Sequence, residues 1–244
     1  MKKILVPSLI ALAISSLASV AQAQTAPEST LSYNAGVVSD YRYRGIAQCR
    51  LNPALQGGVD YADKSGFYVG AWGSTIKWIK DAGGDANVEL DLYGGYKGTA
   101  GDVAYDVGFL RYQYPSNNLT VSANTNEVYG AVTYGLFTAK YSHAVSNLFG
   151  FTDSKNSGYL DLSATFDLGN GYSLVPHVGR QTVKNNPTAT YTDYSLTLGK
   201  DLGNGLSATL MLVDTNNDSY SSGVDHGSKN LGKSGAVVGL KYSF

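Results

Sequence analysis

Ser234-Gly235-Ala236-Val237-Val238-Gly239-Leu240-Lys241-Tyr242-Ser243-Phe244 ends the chain. Ala236, Val238, Leu240, Tyr242 and Phe244 fall on one parity, and Gly235, Val237, Gly239, Lys241 and Ser243 on the other. Side chains of a strand alternate between its faces, so one face is apolar to its last residue. The other is small or polar except for Val237. At the edge of a water-soluble sandwich, a strand ending on an exposed Phe carboxylate would fray. In a sheet closed on itself, the last strand pairs with the first and no edge remains. The expected fold class is therefore all-β: a closed antiparallel transmembrane β-barrel of about 12 strands.

The other terminus points the same way. Lys2 and Lys3, an apolar run over residues 4–20, and Ala21-Gln22-Ala23 follow the order of a secretory signal peptide. Cleavage is expected after Ala23. Pro7 and the serines at 8, 15, 16 and 19 break the run and argue against a permanent anchor. No other stretch holds ~18 continuous apolar residues, so no transmembrane helix is expected. The expected organisation is residues 1–23 as signal peptide, 24–30 as a short periplasmic leader and 31–244 as one barrel in the bacterial outer membrane. Only 15% of residues are charged, with 29 Gly and 19 Tyr. Soluble domains carry about 25% charge. Without Lys2 and Lys3, 16 basic residues face 19 acidic ones, a formal −3 that does not favour nucleic acid. Cys49 stands alone, so no disulfide framework is expected.

Alternation recurs along the chain. In residues 31–44, Leu31, Tyr33, Ala35, Val37, Tyr41 and Tyr43 share one parity, and Asp40, Arg42 and Arg44 the other. An Arg facing lipid at mid-bilayer costs roughly 2–4 kcal/mol, which turns the arginines inward. Residues 66–76 carry aromatic or apolar side chains on both parities, and their facing stays unassigned. Pro176 within residues 172–183 cannot donate to a ladder and suggests a bulge. Short Gly-rich connections alternate with longer polar ones, as periplasmic turns alternate with outer loops. Asp167-Leu168-Gly169-Asn170-Gly171 recurs as Asp201-Leu202-Gly203-Asn204-Gly205, which reads as one hairpin turn used twice.

Three stretches resemble a proteobacterial family of TorF-type porin-like proteins, the Gcw_chp family. They are Ser39-Asp40-Tyr41-Arg42-Tyr43-Arg44-Gly45-Ile46, then Pro53-Ala54-Leu55-Gln56-Gly57-Gly58-Val59-Asp60-Tyr61, then Gly66-Phe67-Tyr68-Val69-Gly70-Ala71-Trp72-Gly73-Ser74. Ala47 and Cys49 depart from the small hydroxyl residues expected after the first motif. The resemblance implies an outer-membrane barrel and names no solute. The chain ending also resembles the insertion signal of such barrels, with Leu240, Tyr242 and Phe244 as its residues and the barrel-assembly machinery as the partner implied.

A twelve-strand ring has a backbone radius of about 12 Å, so the lumen is expected to be narrow. The inward candidates are Asp40, Arg42, Arg44, Gln56, Asp60, Glu89, Asp91, Glu127, Asp161 and Asp193. Arginines opposite acids would set a transverse field at a constriction of a passive channel for small hydrophilic solutes. The same charges would equally serve as structural pairs filling a plugged barrel with a surface role. Arg111 and Arg180 share parity with lipid-facing neighbours. They are candidates to meet lipopolysaccharide at the outer edge of the lipid, unless a bulge turns them inward. The Tyr excess reads as girdles at the two membrane interfaces. A lipid-modifying enzyme would need a His paired with an activated Ser. Ser142 and His143 point oppositely, and there is no G-x-S-x-G elbow. No enzyme, cofactor or metal is expected; outer-membrane lipids and small solutes are the expected partners.

Overall fold

The computed structural model describes residues 29–244. The expected signal peptide and most of the expected leader lie outside them. Strands β1 (Thr30–Val38), β4 (Ala54–Ala62), β5 (Phe67–Thr75), β6 (Val88–Ala100), β7 (Val103–Gln113), β8 (Thr125–Tyr134) and β9 (Phe137–Ala144) form the first part of one antiparallel sheet. The rest is β10 (Gly158–Ala164), β11 (Phe166–Gly169), β12 (Tyr172–Thr182), β13 (Tyr191–Gly203), β14 (Leu206–Thr215) and β15 (Gly235–Ser243). β10 and β11 share one wall, so the thirteen strands of the sheet make twelve walls. Two further strands, β2 (Arg42–Tyr43) and β3 (Ile46–Ala47), pair only with each other. A single helical turn, α1 (Trp78–Asp81), lies between β5 and β6.

The ring closes where the terminal strand was expected to close it. β15 pairs with β14 on one side and β1 on the other, with Val37 opposite Leu240. Tyr33 N–H donates to the Phe244 carbonyl at 2.8 Å, and Phe244 N–H returns the bond at 3.0 Å. Their rings stack at 5.7 Å.

Alternation sorts the two faces. Leu162 and Leu196 are 42% and 41% exposed on the exterior, amid a belt of Leu, Val and aromatic side chains. An apolar exterior this extensive is stable only against lipid. β5, unassigned from its sequence, turns Phe67 and Val69 outward and Tyr68 inward. Both parities were apolar because its inward face also carries rings. Gly70 leaves room for the Tyr93 ring: a Cβ there would lie 2.4 Å from a ring carbon.

Three expectations need correction. The first wall ends at Val38, not residue 44, because Ser39 takes the last bond to β15 and the chain then turns into the lumen. Pro176 makes no bulge: β12 runs in unbroken register against β13. Its missing N–H instead splits the neighbouring wall into β10 and β11, at Thr165, with the same register on both sides of the gap. The Tyr excess is only partly a girdle: Tyr41, Tyr43, Tyr68, Tyr112, Tyr114, Tyr129, Tyr159 and Tyr191 are buried inside.

The repeated turn is one structure twice. Asn170 and Asn204 both have φ 52°, flanked by positive-φ glycines. The Asp167 and Asp201 carboxylates each accept the N–H two residues on, at 2.8 Å. In both copies the register shifts by a bulge beside the turn.

Candidate functional site

The first long loop does not stand above the barrel; it folds into the mouth. The segment after Val38 forms the β2–β3 hairpin, with Arg44 at φ 46° and Gly45 at φ 80° in its two-residue turn. Positive φ at both central positions matches the strand twist, which is why Gly stands there. Gly45 also comes close against β13 and β14: a Cβ would sit 2.6 Å from Thr215 Cγ2 and 2.8 Å from Asp193 Cβ.

Each polar residue of the hairpin has a partner. Tyr41 donates to Glu89 on β6 at 2.9 Å, and the Tyr43 and Tyr112 hydroxyls meet at 2.6 Å. Arg42 binds Asp40 at 2.5 Å and donates to the carbonyls of Gly45, Leu231 and Lys233. Arg44 spans the lumen, donating to Glu127 on β8 at 2.8 Å and Gln181 on β12 at 2.7 Å. Its guanidinium also lies over the rings of Tyr43 and Tyr159, at 4.8 and 4.3 Å. The Arg44 and Glu127 side chains are 7% and 2% exposed. A pair this buried is costly to break from one side, because the other charge is left uncompensated. Burial raises the Asp40 carboxyl above the usual range, against the opposing pull of Arg42.

The hairpin is also clamped by neutral contacts. Ala47 N–H donates to Leu231 O, Gln48 N–H to Tyr41 O and Lys77 N–H to Gln48 O. Cys49 donates its thiol to Thr75 O at 2.9 Å, and burial pushes that thiol up to about 11. Phe149 packs edge-on against Tyr43 and Tyr112 at 5.6 and 5.1 Å. The loop end of the barrel is thus filled by rings.

The remaining sequence candidates fall in three places. Arg42 and Arg44 come from the hairpin rather than the wall, and Tyr41 and Tyr43, read with the lipid face, lie in the lumen instead. Asp161 and Asp193 flank His177, with His177 Nε2 at 3.1 Å from Asp161 and Nδ1 at 3.6 Å from Asp193. Asp60 accepts from Tyr93 at 2.5 Å, and Gln56 faces the lumen half-buried on β4. Asp91 stands between Trp72 of β5 and Tyr112 of β7, with Oδ1 buried and unpartnered. Arg111 and Arg180 stay on the outer face, since the unbroken β12 register leaves no bulge to turn Arg180 inward. Arg111 binds Gln113 and Asn126, and Arg180 binds Thr192. Leu240, Tyr242 and Phe244 lie on the exterior of the closing strand.

The sequence reading missed Gln181, Tyr112 and α1 as partners of the hairpin. The available signal was Arg44-Gly45, a turn dipeptide inside what looked like a strand. His143 points outward toward Asn156 at 3.3 Å, while Ser142 is buried on the inner face. Among the described residues, no group of three His, Cys, Asp or Glu is placed to hold a metal ion.

A closed barrel with an apolar exterior, a polar interior and a loop folded across its mouth has the architecture of outer-membrane porins. The chain belongs to the family described as "Bacterial protein of unknown function (Gcw_chp)", which it matches over residues 22–244. Among solved structures it is similar to the KdgM porin, with TM-score 0.55 and 8% identity over 88% of this chain and 99% of that one. The NanC porin is similar too, with TM-score 0.54 and 11% identity over 87% of this chain and 99% of that one. Likeness at this identity is likeness of fold. No curated protein matches the chain in sequence.

Proposed function

We propose that the protein is a passive channel of the bacterial outer membrane for small hydrophilic solutes, reached through a cleaved signal peptide. The observation that carries this reading is the closed barrel itself, with charged side chains on its inner face and an outside that suits lipid. The short turns would lie in the periplasm and the long loops outside. The β2–β3 hairpin is then the constriction. Its Arg42 and Arg44 are matched by Asp40 and Glu127.

The buried Arg44–Glu127 pair supports a second reading, a barrel closed at rest. Planar-bilayer recording of the purified protein separates the two. Discrete channel events in potassium chloride are expected. Silence at every voltage in the unaltered protein, with events appearing in the Arg44→Gln variant, would establish the closed barrel instead.

A further inference from the structure

Above the hairpin, at the loop end, lies a cup of about 490 Å³. Tyr43, Ile46 and Ala47 make its floor, and rings from Trp78, Tyr114, Phe149, Phe151, Tyr191 and Tyr220 face it. The exposed Thr120 and Ser221 lie on its rim. A volume of 300–1,000 Å³ with apolar walls and a few convergent polar groups is the usual form of a small-molecule site.

Two polar atoms of α1 decide what it would take. Trp78 Nε1 and Asp81 Oδ2 are both buried and have no hydrogen-bond partner. Both residues line the cup. They stand three apart on one helical turn, a spacing that puts them on the same face. One is a donor and the other an acceptor. A single hydroxyl group can accept from the first and donate to the second, and a buried pair left unmade is costly.

The charge of the site narrows the class. Asp81 is the one charged residue of the lining, and its Oδ1 already takes the Arg50 guanidinium at 2.6 Å. His226 Nε2 lies 3.9 Å from the same oxygen. A charged ligand therefore finds no uncompensated opposite charge. A saccharide would leave most of its hydroxyls against apolar walls. Rings, by contrast, pack edge-on or offset against rings, as Trp78 and Tyr114 already do at 5.2 Å.

We propose that this cup binds a small uncharged aromatic compound bearing a hydroxyl group, its ring among the aromatic walls and its hydroxyl bridging Trp78 Nε1 and Asp81 Oδ2. The occupancy of the cup can be read whether or not the channel conducts.

The test is fluorine NMR of 4-fluorophenol with the full-length folded barrel, against a protein-free micelle control. Saturable broadening or shift beyond the micelle control is expected. Trp78→Phe keeps a ring but removes the donor and should weaken binding about tenfold. Val121→Trp should fill the cup and abolish the signal. Folding of each variant is checked by heat-modifiable migration, and if Val121→Trp does not fold, Trp78→Phe alone decides. Absence of saturable binding overturns the proposal. So does binding unchanged in the folded variants, or equally strong binding of a fluorinated methyl glucoside.

Discussion

The loop half and the turn half of this barrel share the same walls and the same alternation, yet they are filled differently. At the loop end, Tyr41, Tyr43, Tyr112, Tyr114 and Phe149 pack round a hairpin that is tied to β6, β7, β8 and β12. At the turn end, large inward groups gather on one side. There Tyr68 donates to Asp106 at 2.6 Å, and Lys97 lies over its ring at 4.6 Å. The side made by β1, β14 and β15 presents mostly small groups, Asn34, Gly36, Thr209 and Gly239, with Lys241 as its long inward side chain. Alternation therefore decides which residues enter a lumen, but only their size and a returning loop decide whether it is filled. The two halves are also held differently: the loop half by contacts across the lumen, the turn half mainly by its ladders and short turns.

Substitutions in the two halves should expose that difference. Arg44→Gln has the largest expected effect, since it leaves Glu127 buried without its cation; a loss of about 3–5 kcal/mol is expected. Denaturant unfolding in detergent measures it, and single-channel conductance should rise as the hairpin loosens. Adding Glu127→Gln should restore part of the loss, because it removes the stranded charge. If the double variant lost as much as the two singles summed, the pair would not be coupled as the geometry states.

Cys49 reads the packing of the same half without disturbing it. A thiol raised to about 11 carries about a hundredfold less thiolate at pH 8 than an ordinary cysteine. It is also 1% exposed. Alkylation by iodoacetamide should be at least that much slower in the folded protein than in denaturant. Fast labelling of folded protein would mean that the hairpin opens.

The seam between the halves comes next. Deleting Phe244 removes two backbone bonds to Tyr33 and two ring stacks, on Tyr33 and on Tyr242. About 2–3 kcal/mol should be lost, with less folded barrel recovered from membranes. The smallest effect is expected at the turn end. Asp167→Ala removes one exposed side-chain bond to Gly169. It should cost about 0.5–1.5 kcal/mol and leave conductance unchanged. A larger loss would show that the turns bear more of the fold than their exposure suggests.

Much of the wall was legible in the sequence because a strand advertises its two faces residue by residue. The terminal stretch to Phe244, the pairs Asp161/Leu162 and Ser195/Leu196, and the duplicated Asp-Leu-Gly-Asn-Gly turn all follow from period two and from positive φ. β5 resisted because its lumen face carries Tyr68 and Trp72, so polarity no longer marked the inside. Pro176 was correctly read as a residue that cannot donate. Which neighbour would lose that bond depends on the register, and the register is tertiary.

The hairpin marks the other limit. Alternation through residues 40–44 continues that of β1 almost unchanged, so the sequence alone extended the wall by six residues. In the barrel, the lumen offers Glu89, Tyr112, Glu127 and Gln181 as partners, and Asp40, Tyr41, Arg42, Tyr43 and Arg44 leave the wall to meet four walls and the last loop. Local spacing determines the facing of a strand because the alternation is built into the backbone. The fate of a loop depends on groups up to 191 positions away, as in the bond from Arg42 to Lys233, and only the closed ring brings them within reach.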